Sequence, residues 1–272
     1  MEAYFEVKAR LFSPAFSARA VVNLDSPYGR LLLDAAKIPT TGFALDDLAD
    51  VELSASGSRF TWRGERVTLS LGGRFNLSNA LTAAEVAFAV GIEPAVVARG
   101  LSRDVVVPGR FEVIDEGQPF GVIVDYAHTP DGLEQVLDAA RHVRDGEVTV
   151  VFGCGGDRDA SKRPAMGEVA ATHADRVVLT ADNSRGEDTG AIIDAVKQGY
   201  DRAVHRPRHD LVVEQDRRRA IGLALDLAGP DDTVVIAGKG HETTQTIGDV
   251  TVPFDDREVA RAELAARWGG AR

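Results

Sequence analysis

Cysteine is nearly absent: Cys154 is the single one in 272 residues. One thiol cannot form an intrachain disulfide, so no disulfide framework holds this chain, and a reducing, cytoplasmic setting is the expectation. No run of eighteen apolar residues occurs, which excludes a helix long enough to span a bilayer, and the first residues do not read as a secretory signal. Positive charge is in deficit too. The 31 Lys and Arg against 42 Asp and Glu leave a formal charge of −11, the wrong sign for the cationic footprint of a general nucleic-acid binder. Internal repeats and low-complexity tracts are missing. So is any Gly-x-x-x-x-Gly-Lys-Ser/Thr phosphate loop, and Gly153-Cys154-Gly155-Gly156 lacks the third glycine of a dinucleotide fingerprint. What remains is 44% apolar and 27% charged residues, a globular composition in a chain long enough for one large or two ordinary domains.

The chain opens on Met1-Glu2-Ala3-Tyr4-Phe5, which reads as the middle of an amphipathic helix with no capping residue before it, so a longer parent is the expectation. Residues 1–107 form a first unit. A helix through Phe12 leads to a strand at Arg19–Leu24, then to a second helix from Asp25-Ser26-Pro27 to about Ala36. Asp50–Ser54, Ser58–Arg63 and Arg66–Leu71 alternate apolar and polar residues around a tight turn at Arg63-Gly64-Glu65, which predicts a small antiparallel edge added to a larger sheet. Asn76–Val90 is an Ala-rich helix, and Pro94–Leu101 a shorter one. The run Val105-Val106-Val107-Pro108-Gly109 punctuates the pattern, and residues 108–272 follow as a second unit. There, strands near Phe111–Asp115, Gly121–Asp125, Val148–Phe152, Arg176–Thr180, Leu211–Val213 and Thr233–Ala237 alternate with helices near Pro130–Val143, Lys162–Thr172, Thr189–Val204, Asp216–Leu227 and Asp256–Arg267. Such alternation predicts an α/β fold with a mostly parallel, doubly wound sheet.

Four polar clusters directly follow β-branched runs: Asp125-Tyr126-Ala127-His128-Thr129-Pro130-Asp131, Gly153 to Asp159, Asp182-Asn183-Ser184-Arg185, and Gly238-Lys239-Gly240-His241-Glu242. A fifth, Pro108-Gly109-Arg110-Phe111-Glu112, precedes them. In an open parallel sheet the strand ends share one rim, where ligands bind. Asp125 can accept ribose hydroxyls or simply serve a turn, and Arg110 can clamp phosphate or ribose. Arg158 and Arg185, with Asp182 and Asn183 beside the second, suit a zwitterionic or dicarboxylic ligand; the alternative is a surface ion-pair network. Gly238 and Gly240 let backbone approach a ligand, Glu242 can hold an ammonium, and His241 alone reads as structural. Cys154 reads as a small packing residue rather than a nucleophile.

In the first unit Lys8 shares a helix face with Tyr4, Leu11 and Phe12. Either its stem packs while its ammonium reaches water, or burial favours the neutral amine, which can take up carbon dioxide and, as a carbamate, ligate Mg²⁺. Asn76 and Asn79 either cap the Ala-rich helix or present amides to a base or phosphate.

Together these clusters, and above all the Asp125–Asp131, Gly153–Asp159 and Gly238–Glu242 stretches, resemble the Mur ligases, ATP-dependent amide-bond-forming enzymes of peptidoglycan synthesis. The resemblance runs from Tyr4-Phe5-Glu6-Val7-Lys8 through Asp255-Asp256-Arg257-Glu258 and is strongest to members that add the third stem-peptide residue. It implies part of a central ATPase domain, without its phosphate loop, followed by a Rossmann-like C-terminal domain that binds the amino acid. It implies a carbamylated Lys8 holding Mg²⁺, ATP contacts at Asn79, Arg110 and Asp125, and an amino-acid pocket at Arg158, Asp182, Asn183, Ser184, Arg185, Gly238 and Glu242. The substrates implied are UDP-N-acetylmuramoyl-L-alanyl-D-glutamate, ATP and meso-diaminopimelate, whose distal carboxylate Arg185 would bind; a monomer with no nucleic-acid or membrane partner is expected. Ser184 stands where the family usually has proline, which predicts a looser turn. Three alternatives stand beside this: the same ligase using L-lysine, a diamino-acid-binding module without catalysis, and a folylpolyglutamate-type ligase. The polypeptide alone is expected to be inactive.

Overall fold

A computed structural model describes residues 2–54, 57–103, 107–204 and 211–269. Two compact units divide at Val105/Val106, two residues before the expected boundary; Val105 and Val106 of the boundary run, like Met1, lie outside the described residues.

In the first unit, helix α1 (Glu2–Ala9) leads to strand β1 (Ala20–Asn23), helix α2 (Pro27–Ala35) and strand β2 (Thr40–Phe43), which pairs in parallel with β1. Strands β3 (Ala49–Ser54), β4 (Gly57–Trp62) and β5 (Glu65–Leu69) follow as an antiparallel meander, then helices α3 (Arg74–Ala89) and α4 (Pro94–Leu101). Trp62 pairs with Glu65 across Arg63 and Gly64, both at positive φ (48° and 82°), as a two-residue primed hairpin turn requires. The expectation that this meander extends a larger sheet is corrected: among the described residues β3–β4–β5 is a sheet of its own. The reason is packing. Phe60, Trp62, Val67 and Leu69 turn one face onto Leu77, Leu81 and Ala84 of α3, so the meander closes against a helix instead of pairing with β1 or β2.

The second unit holds strands β6 (Glu112–Val113), β7 (Gly121–Asp125), β8 (Val148–Phe152), β9 (Arg176–Leu179), β10 (Val212–Val213) and β11 (Thr233–Ala237) in the order β10-β9-β8-β11-β7-β6. All neighbours are parallel except the antiparallel β6–β7 edge pair. β7, β8 and β11 are buried at every position, the mark of interior strands covered on both faces. Helices α5 (Pro130–Ala140), α6 (Lys162–His173), α7 (Thr189–Arg202), α8 (Arg217–Leu227) and α9 (Asp256–Trp268) do the covering. Ala220, Ile221, Ala224 and Leu225 of α8 and Val259, Ala260 and Leu264 of α9 pack on Val122, Val124, Val151, Val178, Val234 and Ile236. The alternate residues of those strands face the opposite side, where α5 lies against β8 and β11, and α6 against β9. One element was not anticipated: the hairpin β12 (Thr244–Ile247) with β13 (Val250–Pro253). Its sequence signal is the Gly248-Asp249 pair, with Gly248 at φ 57°, a recognised hairpin dipeptide.

Candidate functional site

The parallel strands of the second unit all end on one rim, and the polar clusters lie there because each strand runs out of β-branched residues at that point. β7 ends in Asp125, a buried carboxylate. Its Oδ2 accepts the Phe111 N–H at 2.7 Å and its Oδ1 the Ala127 N–H at 2.7 Å. The turn role considered for Asp125 is therefore filled, and the same carboxylate ties Pro108–Phe111 to the β7 end. Burial raises its pKa above the ordinary value, while the two N–H groups and the Arg110 and His128 charges pull the other way. Gly109 makes the docking possible: at φ 63°, an added Cβ would stand 2.1 Å from the Gly240 carbonyl carbon. Arg110 is exposed with its guanidinium 4.5 Å from the Tyr126 ring centre. The Tyr126 ring also lies 4.6 Å from His128 and 5.0 Å from His241. This end of the rim is thus a carboxylate beside a planar, cation-bearing aromatic surface.

Three loops meet at the other end. An added Cβ on Gly155 would lie 3.1 Å from Arg185 Nη1 and 3.9 Å from Arg158 Cγ, so both arginines border the same backbone. Arg185 Nη1 donates to the Gly156 carbonyl at 2.7 Å and to that of Asn183 at 3.4 Å. Gly156 N–H donates back to the Asn183 carbonyl at 2.8 Å. Asn183 Nδ2 donates to Glu242 Oε2 at 2.7 Å, and its Oδ1 accepts the Thr246 N–H at 2.9 Å. Asp182 Oδ2 lies 2.8 Å from where a Cβ on Gly238, at φ 113°, would stand. Arg158, Asp182, Asn183, Arg185, Gly238 and Glu242 are therefore brought together from loops that follow β8, β9 and β11. Ser184 is buried, with its hydroxyl 2.6 Å from that of Thr189.

The turn around Arg185 is firmly held, contrary to the looseness expected from Ser184. Arg185 sits at φ 50°, its N–H donates to the Thr246 carbonyl at 3.1 Å, and its carbonyl accepts the Gly248 N–H at 2.8 Å. The β12–β13 hairpin supplies the rigidity that a proline would supply within the turn.

The first-unit candidates stand apart from these. Lys8 is exposed, its ammonium 5.5 Å from the Tyr4 ring centre, and Tyr4 and Leu11 are exposed with it. Of the two readings of Lys8, the exposed side chain fits the one in which the ammonium reaches water. Asn76 lies within the first turn of α3, buried, donating Nδ2 to the Gly72 carbonyl at 2.8 Å. Gly73 is the N-cap, so neither asparagine caps the helix; Asn79 is exposed one turn further on.

Several supporting residues escaped the sequence reading. Lys239 is fully buried, its Nζ donating to the Thr244 carbonyl at 2.6 Å and lying 3.4 Å from both Asn183 Oδ1 and Glu242 Oε2. Arg163 makes a two-pronged pair with Glu187 at 2.8 and 2.9 Å, and Glu187 in turn accepts the Asp157 N–H. Burial opposes the Arg217 charge, but Asp256 outweighs it and holds the guanidinium protonated. The sequence signal was modest: arginines at the openings of α6 and α8, where a helix dipole disfavours cations.

Known proteins resemble this chain along both units. The Mur ligase middle domain matches residues 1–87, and the Mur ligase, glutamate ligase domain matches residues 109–240. A UDP-N-acetylmuramoyl-L-alanyl-D-glutamate–2,6-diaminopimelate ligase of Streptomyces coelicolor is 43% identical over 281 residues, covering 99% of this chain and 56% of the relative. The Gloeobacter violaceus protein of the same name is 45% identical over 280 residues, covering 98% and 56%. A solved structure of a ligase of that name is 36% identical with a TM-score of 0.58, covering 98% of this chain and 57% of that one. A pseudomurein peptide ligase type C from Methanothermus fervidus, 16% identical, shares the fold with a TM-score of 0.67 over 97% of this chain and 59% of its own. The chain spans about half the length of the curated relatives it matches. With one family domain on each compact unit, and ligases of this kind similar along almost its whole length, the chain belongs to the Mur ligase family.

Proposed function

We propose that this chain carries the amino-acid-binding portion, and part of the nucleotide-binding portion, of an ATP-dependent acid–amino-acid ligase. The ligase would join meso-diaminopimelate to UDP-N-acetylmuramoyl-L-alanyl-D-glutamate in peptidoglycan precursor synthesis. In this reading residues 1–107 belong to the central ATP-binding domain and residues 108–272 form the amino-acid-binding domain. The observation that carries it is the meeting of Arg158 and Arg185 with Asp182, Asn183 and Glu242 around Gly155 and Gly238. The two arginines and the Asp182 and Glu242 carboxylates, Glu242 also lying 3.4 Å from the buried Lys239 ammonium, face a ligand with two carboxylates and two ammonium groups. Arginine's planar fork takes a carboxylate bidentately; Arg185, already held through Nη1, is oriented before the ligand arrives. Asp182 and Glu242 would receive ammonium groups, with Asn183 fixing Glu242, while Ser184 shapes the pocket through its backbone. L-Lysine has no distal carboxylate and would leave Arg185 without its partner.

Arg110 and Asp125 are the proposed ATP contacts of the second unit, at ribose or phosphate, and Asn79 that of the first. Phosphorylation of the D-glutamyl carboxylate by ATP gives an acyl phosphate and ADP. The acceptor's neutral amine then attacks the acyl carbon, its N–H proton passes to solvent, the amide bond forms, and inorganic phosphate leaves with the electron pair of the broken C–O bond. The residues here act by positioning the amine and by neutralising charge. Lys8 is open to carbon dioxide, and a carbamate there would add hard oxygen donors of the kind Mg²⁺ prefers; bound Mg²⁺ would neutralise phosphate charge. The test is amide chemical-shift mapping of the 272-residue chain with meso-diaminopimelate. Perturbations should concentrate at residues 153–158, 182–185 and 238–246, and a map centred elsewhere would sink the reading.

A further inference from the structure

Neither the Asp255–Glu258 stretch nor Arg217 belongs to any of the five polar clusters. The two nonetheless meet beneath the rim. Arg217 opens α8 and Asp256 opens α9, and both side chains are fully buried. Arg217 Nε donates to Asp256 Oδ1, and Nη2 to Oδ2, each at 2.7 Å. The same guanidinium donates through Nη1 to the Ala181 carbonyl at 3.2 Å and through Nη2 to the Ala237 carbonyl at 3.0 Å. Ala181 immediately precedes Asp182, and Ala237 immediately precedes Gly238.

The strand order makes this bridge consequential. β8 lies between β9 and β11, so no ladder hydrogen bond joins the two strands whose loops carry Asp182–Arg185 and Gly238–Glu242. Arg217 spans that gap directly. Stability is a poor explanation for it. A cation in a first helical turn faces the positive end of the macrodipole, and a buried ion pair commonly stabilises no better than apolar residues of similar volume. We infer that Arg217, oriented by Asp256, is a positioning residue for the amino-acid pocket, fixing the spacing between the β9 and β11 loops and so between the groups that receive the ligand's carboxylate and ammonium. This rests on the reading of those loops as the acceptor pocket.

The test is hydrogen exchange and calorimetric titration on the 272-residue chain carrying Arg217→Lys. Lysine keeps the charge opposite Asp256, but a single ammonium lacks the fork that reaches a carboxylate and two carbonyls together. Exchange at residues 182–185 and 238–246 should accelerate at least tenfold with residues 148–152 unchanged, and the Kd for meso-diaminopimelate should rise at least tenfold. Unchanged exchange and affinity would overturn the inference, because charge balance alone would then suffice. Equal acceleration in 148–152 would overturn it too, as general loosening. Should that variant fail to fold, the double variant Arg217→Met/Asp256→Leu removes the fork without stranding a charge and is read by the same outcomes. If the unmodified chain does not bind meso-diaminopimelate, the acceptor reading fails, while the exchange comparison still decides whether Arg217 holds the two loops.

Discussion

Cys154 sits just past the end of β8, buried in the rim, and burial pushes its thiol up to about 12. Against an unfolded value near 9, that shift means about a thousandfold less thiolate at neutral pH, and thiolate is the form that reacts. Alkylation of the native chain by iodoacetamide at pH 8 should therefore run at least about 100-fold slower than in urea; equal rates would contradict the burial. The sign for stability follows. The folded state holds this proton more tightly than the unfolded state, so Cys154 leaves stability untouched below about pH 9 and erodes it as pH rises toward 12. The packing role of this residue was legible from its setting in Gly153-Cys154-Gly155. Lys239 was not, although it stands inside a stretch the sequence singled out. Its partners Asn183 and Thr244 are brought to it by the fold, and nothing in Gly-Lys-Gly distinguishes a buried ammonium from a solvated one. Lys8 is the opposite case: helical spacing identified its face, but spacing cannot say whether a face is covered.

Between elements, α6 and α7 set the distance between two of the three rim loops, because each helix starts where one of those loops ends. They touch backbone to backbone. A Cβ on Gly199 would stand 1.7 Å from the Pro164 carbonyl oxygen, and one on Gly167 would stand 2.0 Å from that of Val196. Gly199→Ala should accordingly destabilise the second unit by about 1–3 kcal/mol through overpacking, read as a lower urea midpoint; an unchanged midpoint would show that the helices part freely. Glycines inside helical patterns read only as weak helix formers, so this contact was invisible in the sequence. The alternation of β-branched runs and amphipathic segments after Arg110 was plain, by contrast, since buried parallel strands must be apolar at every position. The β12–β13 hairpin was missed because Thr244–Ile247 and Val250–Pro253 are short and exposed at most positions. Yet it is the element that grips Arg185, so the turn is held where the missing proline at Ser184 predicted looseness.

At the scale of the whole molecule, these 272 residues contain no phosphate loop, so nothing in them cradles β- and γ-phosphates as a P-loop does. The polypeptide by itself should release no phosphate from ATP in the presence of meso-diaminopimelate, and amino-acid-dependent release would overturn that. The proposed acceptor pocket is another matter, because its three loops belong to the one second unit and hold one another through Asn183, Arg185 and Gly156. The order of the polar clusters along the chain already pointed to a shared rim; which groups face one another across it could come only from the strand order. The central claim is that this rim selects a diamino acid by its distal carboxylate. Calorimetric titration of the chain with meso-diaminopimelate and with L-lysine, before and after Arg185→Ala, tests it most directly. A buried charged hydrogen bond is worth about 1.5–3 kcal/mol, so the unmodified chain should prefer meso-diaminopimelate by roughly tenfold to a hundredfold, and Arg185→Ala should erase that preference. Equal affinity for the two amino acids in the unmodified chain would contradict it.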